Sequence, residues 1–178
     1  NVSARIAEVT VTKAPPATSR YPGVKNVELI DADGDLKNPE AYKTVSEDKK
    51  EKNGIRAKEW MNSHENAIMM IFAPWCGHCH NAMLPLSEVA SKTKYPCLMM
   101  NAEVLPTHML TGPKSIHPVE HFPTFLAKTG KNIESTPSPE GAAEVLTKTL
   151  ESAKAASVAA GIATMDAPNE ELSFENLF

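Results

Sequence analysis

Five consecutive residues, Cys76-Gly77-His78-Cys79-His80, carry the clearest chemistry in this sequence, and two chemistries fit them. Two cysteines separated by two residues after an apolar strand read as a thiol–disulfide pair. C-x-x-C followed at once by His reads as a covalent haem attachment. The haem reading takes His80 as one axial ligand and a Met or His as the other. Eight methionines supply candidates, but a haem would displace much of a core that this chain fills with sheet. Zinc needs ligands beyond Cys76 and Cys79. Cys97, His64 and His80 are the candidates, yet no second C-x-x-C and no H-x-x-x-H accompanies them. The redox reading is the one carried forward, with no metal and no dissociable cofactor.

That chemistry has structural needs. A redox C-x-x-C works best where a strand ends and a helix begins, because the first turn offers unpaired N–H groups and the positive end of the helix dipole to the first sulfur. Cys76 then becomes the nucleophile and Cys79, one turn in, the resolving thiol. His78 between them favours a thiolate at Cys76 through its protonatable ring. The pattern supplies the frame. Ala67 to Ala73 is a continuous apolar run that ends at Pro74, as a buried strand would. Residues 77 to 93 read as the helix that follows, with Pro85 inside it.

The remaining elements follow by pattern. Lys25 to Ile30 reads as a first strand, and residues 40 to 64 as a charged helical stretch broken near Asn53-Gly54. Cys97 to Asn101 is a buried strand, and Cys97 a buried, inert thiol. Residues 106 to 116 form a short interrupted helix or loop. Thr124 to Lys128 and Lys131 to Glu134 pair around Thr129-Gly130, and Pro139 to Ala160 is an Ala-rich helix with Ser138 at its N-cap. Crossover helices imply parallel strands in the first half, and the short turn implies an antiparallel hairpin in the second. The expected architecture is α/β, a central mixed sheet flanked by helices. Asp31, Asp33 and Asp35 alternate as in a calcium loop, but Leu36 and Tyr42 stand where an EF-hand needs Gly and Glu, so a polar turn is expected.

Ala73-Pro74-Trp75-Cys76-Gly77-His78-Cys79 resembles the APWCGHC signature of protein disulfide isomerase catalytic domains in the thioredoxin superfamily. Phe122-Pro123-Thr124 resembles the cis-proline segment of that family, with Pro123 lying 47 positions after Cys76. The resemblance spans roughly residues 24 to 155 and implies a thioredoxin-like fold. It implies thiol–disulfide oxidoreductase or isomerase activity with Cys76, Cys79, His78 and Pro123 as catalytic residues. Trp75, Phe122 and Thr124 would contact substrate, which would be protein thiols and disulfides. An oxidising compartment, the ER lumen or secretory pathway, is the setting such a motif favours. Departures from the pattern are equally specific. Met70 stands where the family carries a buried acid, six positions before the first Cys, with Glu28 and Glu103 as conceivable substitutes. His80 replaces a basic residue, and Pro85 comes six residues after Cys79 instead of five.

The sequence divides into an N-terminal arm (1–23), the thioredoxin-like domain (24–155) and an acidic tail with apolar anchors (156–178). Arg5 to Thr12 alternates like a strand, and Phe174, Leu177 and Phe178 fall at helical spacing suited to a groove. These arms suggest an alternative function: a thioredoxin-fold structural or docking subunit of a larger assembly, such as a virus particle, whose neighbouring subunits hold the arms. With 178 residues, a net charge of −4 and no basic block, the chain is not expected to bind nucleic acid. No apolar run approaches the ~20 residues of a membrane span. No segment reads as a secretory leader, Glu175 to Phe178 is not a retention signal, and the opening residue Asn1 implies removal of a segment or a longer product.

Overall fold

The computed structural model describes residues 14–33 and 38–166, with side chains to Ala160. The proposed strand 5–12 and the apolar anchors of the tail lie outside the described residues. Five strands form one sheet: β1 (Glu28–Ile30), β2 (Asn66–Phe72), β3 (Cys97–Asn101), β4 (Thr124–Thr129) and β5 (Asn132–Thr136). Their spatial order is β1-β3-β2-β4-β5. The first three run parallel, and β4 and β5 are antiparallel. Three helices complete the domain: α1 (Glu47–Ser63), α2 (Gly77–Thr93) and α3 (Pro139–Asp166). This is the expected mixed α/β sandwich, in the expected element order.

The central strand β2 is buried from Ala67 to Phe72, which explains its unbroken apolar run: both of its faces are covered, so neither can be polar. One face, with Met70, Phe72 and Met99, packs on Cys79, Met83 and Leu86 of α2 and on Leu146 of α3. The other, with Met69, Ile71 and Met100, packs on Trp60 and Met61 of α1. Ser46 caps α1 by accepting from the Lys49 N–H at 3.2 Å, a contact worth about 1 kcal/mol. Ser138 caps α3 in the same way, accepting from the Gly141 N–H at 3.0 Å.

Two expectations need correction. The helix read as broken at Asn53-Gly54 is continuous from Glu47 to Ser63. Asn53 donates from Nδ2 to the Val104 carbonyl at 3.0 Å, and Gly54 lets Met109 and Pro106 lie directly against the helix. The dipeptide is there for packing. The polar turn expected over residues 31–35 falls partly outside the described residues, but Asp31, read there as a turn residue, is a buried carboxylate just after β1. Its surroundings belong to the site.

Residues 14–23 lie against the domain. Ala17 is fully buried, Pro16 bridges to Glu28, and the Leu29 N–H donates to the Pro15 carbonyl at 2.8 Å. This segment covers the edge of β1, which would otherwise offer unpaired backbone groups to another chain. Among the described residues, no helix is long and apolar enough to cross a membrane.

Candidate active site

Strand β2 ends at Phe72, and Ala73-Pro74-Trp75 carries the chain to Cys76, the N-cap of α2. Cys76 has extended backbone angles and its Sγ accepts from the Cys79 N–H at 3.1 Å. One of the unpaired donors of the first helical turn is thus aimed at the sulfur, together with the positive end of the helix dipole. Cys76 is 7% exposed and Cys79 is 0% exposed. Burial, and then the hydrogen bond with Cys76, push the Cys79 thiol up to about 12. The arrangement separates a sulfur at the helix end, in a residue that lines the groove, from a fully buried one beneath it.

An open groove of about 550 Å³ lies over Cys76, lined by Trp75, Gly77, His78 and residues 119–122. The Phe122-Pro123 peptide bond is cis, and Phe122 meets Trp75 edge-on with ring centroids 5.8 Å apart. Thr124 opens β4, with its hydroxyl donating to the His121 carbonyl at 2.6 Å. The candidate residues Trp75, Cys76, His78 and Phe122 therefore share one wall-to-wall groove. Cys79 lies behind it, and Pro123 and Thr124 lead from the groove into β4. Trp75 is 63% exposed, and its indole N–H donates to Glu103 Oε2 at 2.8 Å. Glu103 holds the groove wall in this way.

Met70 is fully buried on the face of the sheet that carries Cys79, so the position has no proton acceptor. Of the two conceivable substitutes, Glu103 is engaged with Trp75. Glu28 opens β1, at the end remote from the motif, beside Pro96 and Tyr95. His80 donates from Nε2 to the Pro74 carbonyl at 2.8 Å, fixing the turn that presents Cys76. Helix α2 runs on through Pro85 to Thr93. Cys97 sits at the opening of β3, its thiol pushed up to about 12 by burial and donating to the Tyr95 carbonyl at 3.3 Å. His64 binds the Trp60 carbonyl at the foot of α1. Among the described residues, no three His, Cys, Asp or Glu side chains gather as metal ligands would.

The sequence reading missed a second polar group. Asp31 follows β1, and Asn101 ends β3 in register with Phe72 of β2. Asn101 donates to Asp31 Oδ1 at 2.7 Å, as does the Ala32 N–H. Arg20 Nε lies 3.3 Å from Oδ2, and the Tyr21 hydroxyl donates to the same oxygen at 3.4 Å. The Tyr21 ring packs edge-on against Phe72 and His80 at 5.8 and 6.0 Å. The one sequence signal was position. Asp31 lies just beyond the carboxyl end of a parallel strand, where α/β sheets place their functional groups.

A family model described as thioredoxin matches residues 48–152. Comparison with curated proteins returns no match. Among solved structures, one titled "Crystal structure of J-Trx1 fragment of ERdj5" is similar with a TM-score of 0.43 and 14% identity, over 56% of this chain. This chain spans about half of that one, 49%.

Proposed function

Because this chain belongs to the thioredoxin family, we propose that it is a thiol–disulfide oxidoreductase of the disulfide isomerase type, working through Cys76 and Cys79 on protein disulfides. One observation carries the reading: Cys76 caps a helix with the Cys79 N–H on its sulfur, while Cys79 is wholly buried one turn below. The Cys76 thiolate attacks a substrate disulfide, forming one S–S bond and breaking another, and the displaced half leaves as a thiolate. Cys79 then loses its proton and attacks Cys76 Sγ. The second substrate thiolate leaves, and Cys76–Cys79 is the new disulfide. The two electrons pass from the dithiol to the substrate. The same steps in reverse oxidise a substrate dithiol.

The groove supports an extended polypeptide as substrate. Trp75 and Phe122, in contact with each other, offer aromatic area in the groove that Cys76 lines. His78 is exposed beside Cys76 and is the residue we expect to favour the reduced form, raising the potential and making the disulfide the stronger oxidant. Thioredoxin and the isomerase differ by about 90 mV, roughly 4 kcal/mol, and C-G-H-C points to the oxidising end. An oxidising compartment is the setting in which that potential is useful.

The test is covalent. A Cys79→Ser variant mixed with a peptide disulfide is expected to hold the peptide half on Cys76, seen by intact mass and peptide mapping. No adduct on Cys76, or an equal adduct in Cys76→Ser, would overturn the reading.

A further inference from the structure

Resolution of a mixed disulfide requires Cys79 to lose a proton within the apolar core cluster that also holds Met70, Phe72, Met83 and Leu86. Burial holds that proton firmly. Tyr21 packs on this cluster through its ring, against Phe72 and against His80, the residue after Cys79. Its hydroxyl ends on Asp31, which Arg20 and Asn101 fix in place. Asp31 follows Ile30, which pairs with Met100 and through it with Ile71, and two ordinary strand spacings separate the β1 and β2 backbones by about 10 Å. A cleft of about 210 Å³ opens from this cluster to solvent between Tyr42, Pro74 and His80, large enough for several waters at about 30 Å³ each.

We propose that Tyr21 and Asp31 carry the proton of Cys79 away during resolution, with Arg20 and Asn101 as the residues that position them. This rests on the dithiol reading above. As Cys79 Sγ attacks Cys76 Sγ, its proton moves to the Tyr21 oxygen and the Tyr21 hydroxyl proton moves to the Asp31 carboxylate. Asp31 then releases a proton to water in the cleft. The substrate half leaves as a thiolate and takes its proton from solvent, so charge and protons balance. Burial and the adjacent Asp31 carboxylate hold the Tyr21 hydroxyl well above the ordinary phenol range. Tyr21 therefore hands on one proton as it receives another and never carries a lasting negative charge. The titratable and charged groups facing the pair are Arg20, Tyr42, Cys79 and His80.

The experiment follows the mixed disulfide in single turnovers of the reduced full chain with excess peptide disulfide, quenched in acid and weighed, from pH 6 to 9. In Tyr21→Phe the adduct should form at the wild-type rate. Its decay at pH 7 should slow by at least about tenfold, the low end of what a positioned proton acceptor contributes. That decay should then climb about tenfold per pH unit as solvent base takes over, while wild-type decay stays flatter. Asp31→Asn should behave like Tyr21→Phe. Adding Met70→Glu to Tyr21→Phe should restore the decay by supplying an acceptor on the Cys79 face. Equal decay rates and pH profiles in wild type and Tyr21→Phe would overturn the relay. So would a loss seen in His80→Gln and absent from Tyr21→Phe. A Cys79→Ser variant that forms no adduct on Cys76 would remove the dithiol reading and this inference with it.

Discussion

Asp31→Ala tests whether the cluster beside the motif is a structural anchor as well as a proton route. Asp31 is 9% exposed; its carboxylate accepts from Asn101 and Ala32 at 2.7 Å and from Tyr21 at 3.4 Å, and forms an ion pair with Arg20, whose Nε lies 3.3 Å away. Removing one partner of a buried ion pair costs about 3–5 kcal/mol, because the other charge stays buried. Arg20 keeps its bond to the Ala32 carbonyl at 2.9 Å, which offsets part of that loss. The Asn101 amide loses an acceptor, a cost of about 1–3 kcal/mol. These terms share the same atoms and do not add in full, so the expected destabilisation is about 3 kcal/mol. With a urea slope of about 2 kcal/mol/M, the midpoint should fall by about 1.5 M at an unchanged slope. Urea melts by far-UV circular dichroism measure this. A fall below about 0.5 M would refute the reasoning, since it would mean that the ion pair barely exceeds a solvated one.

Three further outcomes follow from the geometry. Gly54→Ala places a Cβ 2.6 Å from Met109 Sδ and 2.9 Å from Pro106 Cγ; overpacking of about 1–3 kcal/mol should outweigh a helix-propensity gain of about 1 kcal/mol, lowering Tm in a thermal melt. Cys97 is protonated in the fold up to about pH 12, whereas an unfolded thiol ionises near 8.5. Its contribution to stability is therefore complete below about pH 8.5 and lost as pH rises toward 12, at up to about 1.4 kcal/mol per pH unit. The stability gap between wild type and Cys97→Ala, read from urea melts, should narrow above pH 9. Glu103→Gln weakens the acceptor that holds the Trp75 indole at 2.8 Å; KM for a peptide disulfide should rise with little change in the rate of the bound step, and an unchanged KM would show that Glu103 does not hold the groove wall.

Much of the fold was legible because the pattern and the physics coincide there. Helix α2 and strand β3 have the bounds their sequence implies, set by the Cys76 cap and by a run buried on both faces. The Asn53-Gly54 misreading shows the limit. Local propensity says break, but Val104, Pro106 and Met109, about 50 residues on, make that dipeptide a contact surface. Within the site, the motif residues announced themselves by spacing, and the groove wall at Phe122 by its F-P-T string. Asp31 did not, because a carboxylate in a polar stretch looks the same buried or exposed. Its role depends on the adjacent Arg20 and Tyr21 and on Asn101 of β3 converging from two separate segments, which only the fold brings together. Glu28 illustrates the opposite error: it lies on the same strand, but at the end remote from the motif.

The central claim is that Cys76 and Cys79 form a working redox pair. The most direct measurement equilibrates the full chain with glutathione buffers, traps the thiols and counts them by mass. One reversible two-electron couple is expected, confined to Cys76 and Cys79 and lying between about −270 and −180 mV, toward the upper value. Thiols that never pair across the range, or a Cys76–Cys79 disulfide that glutathione cannot reduce, would contradict it.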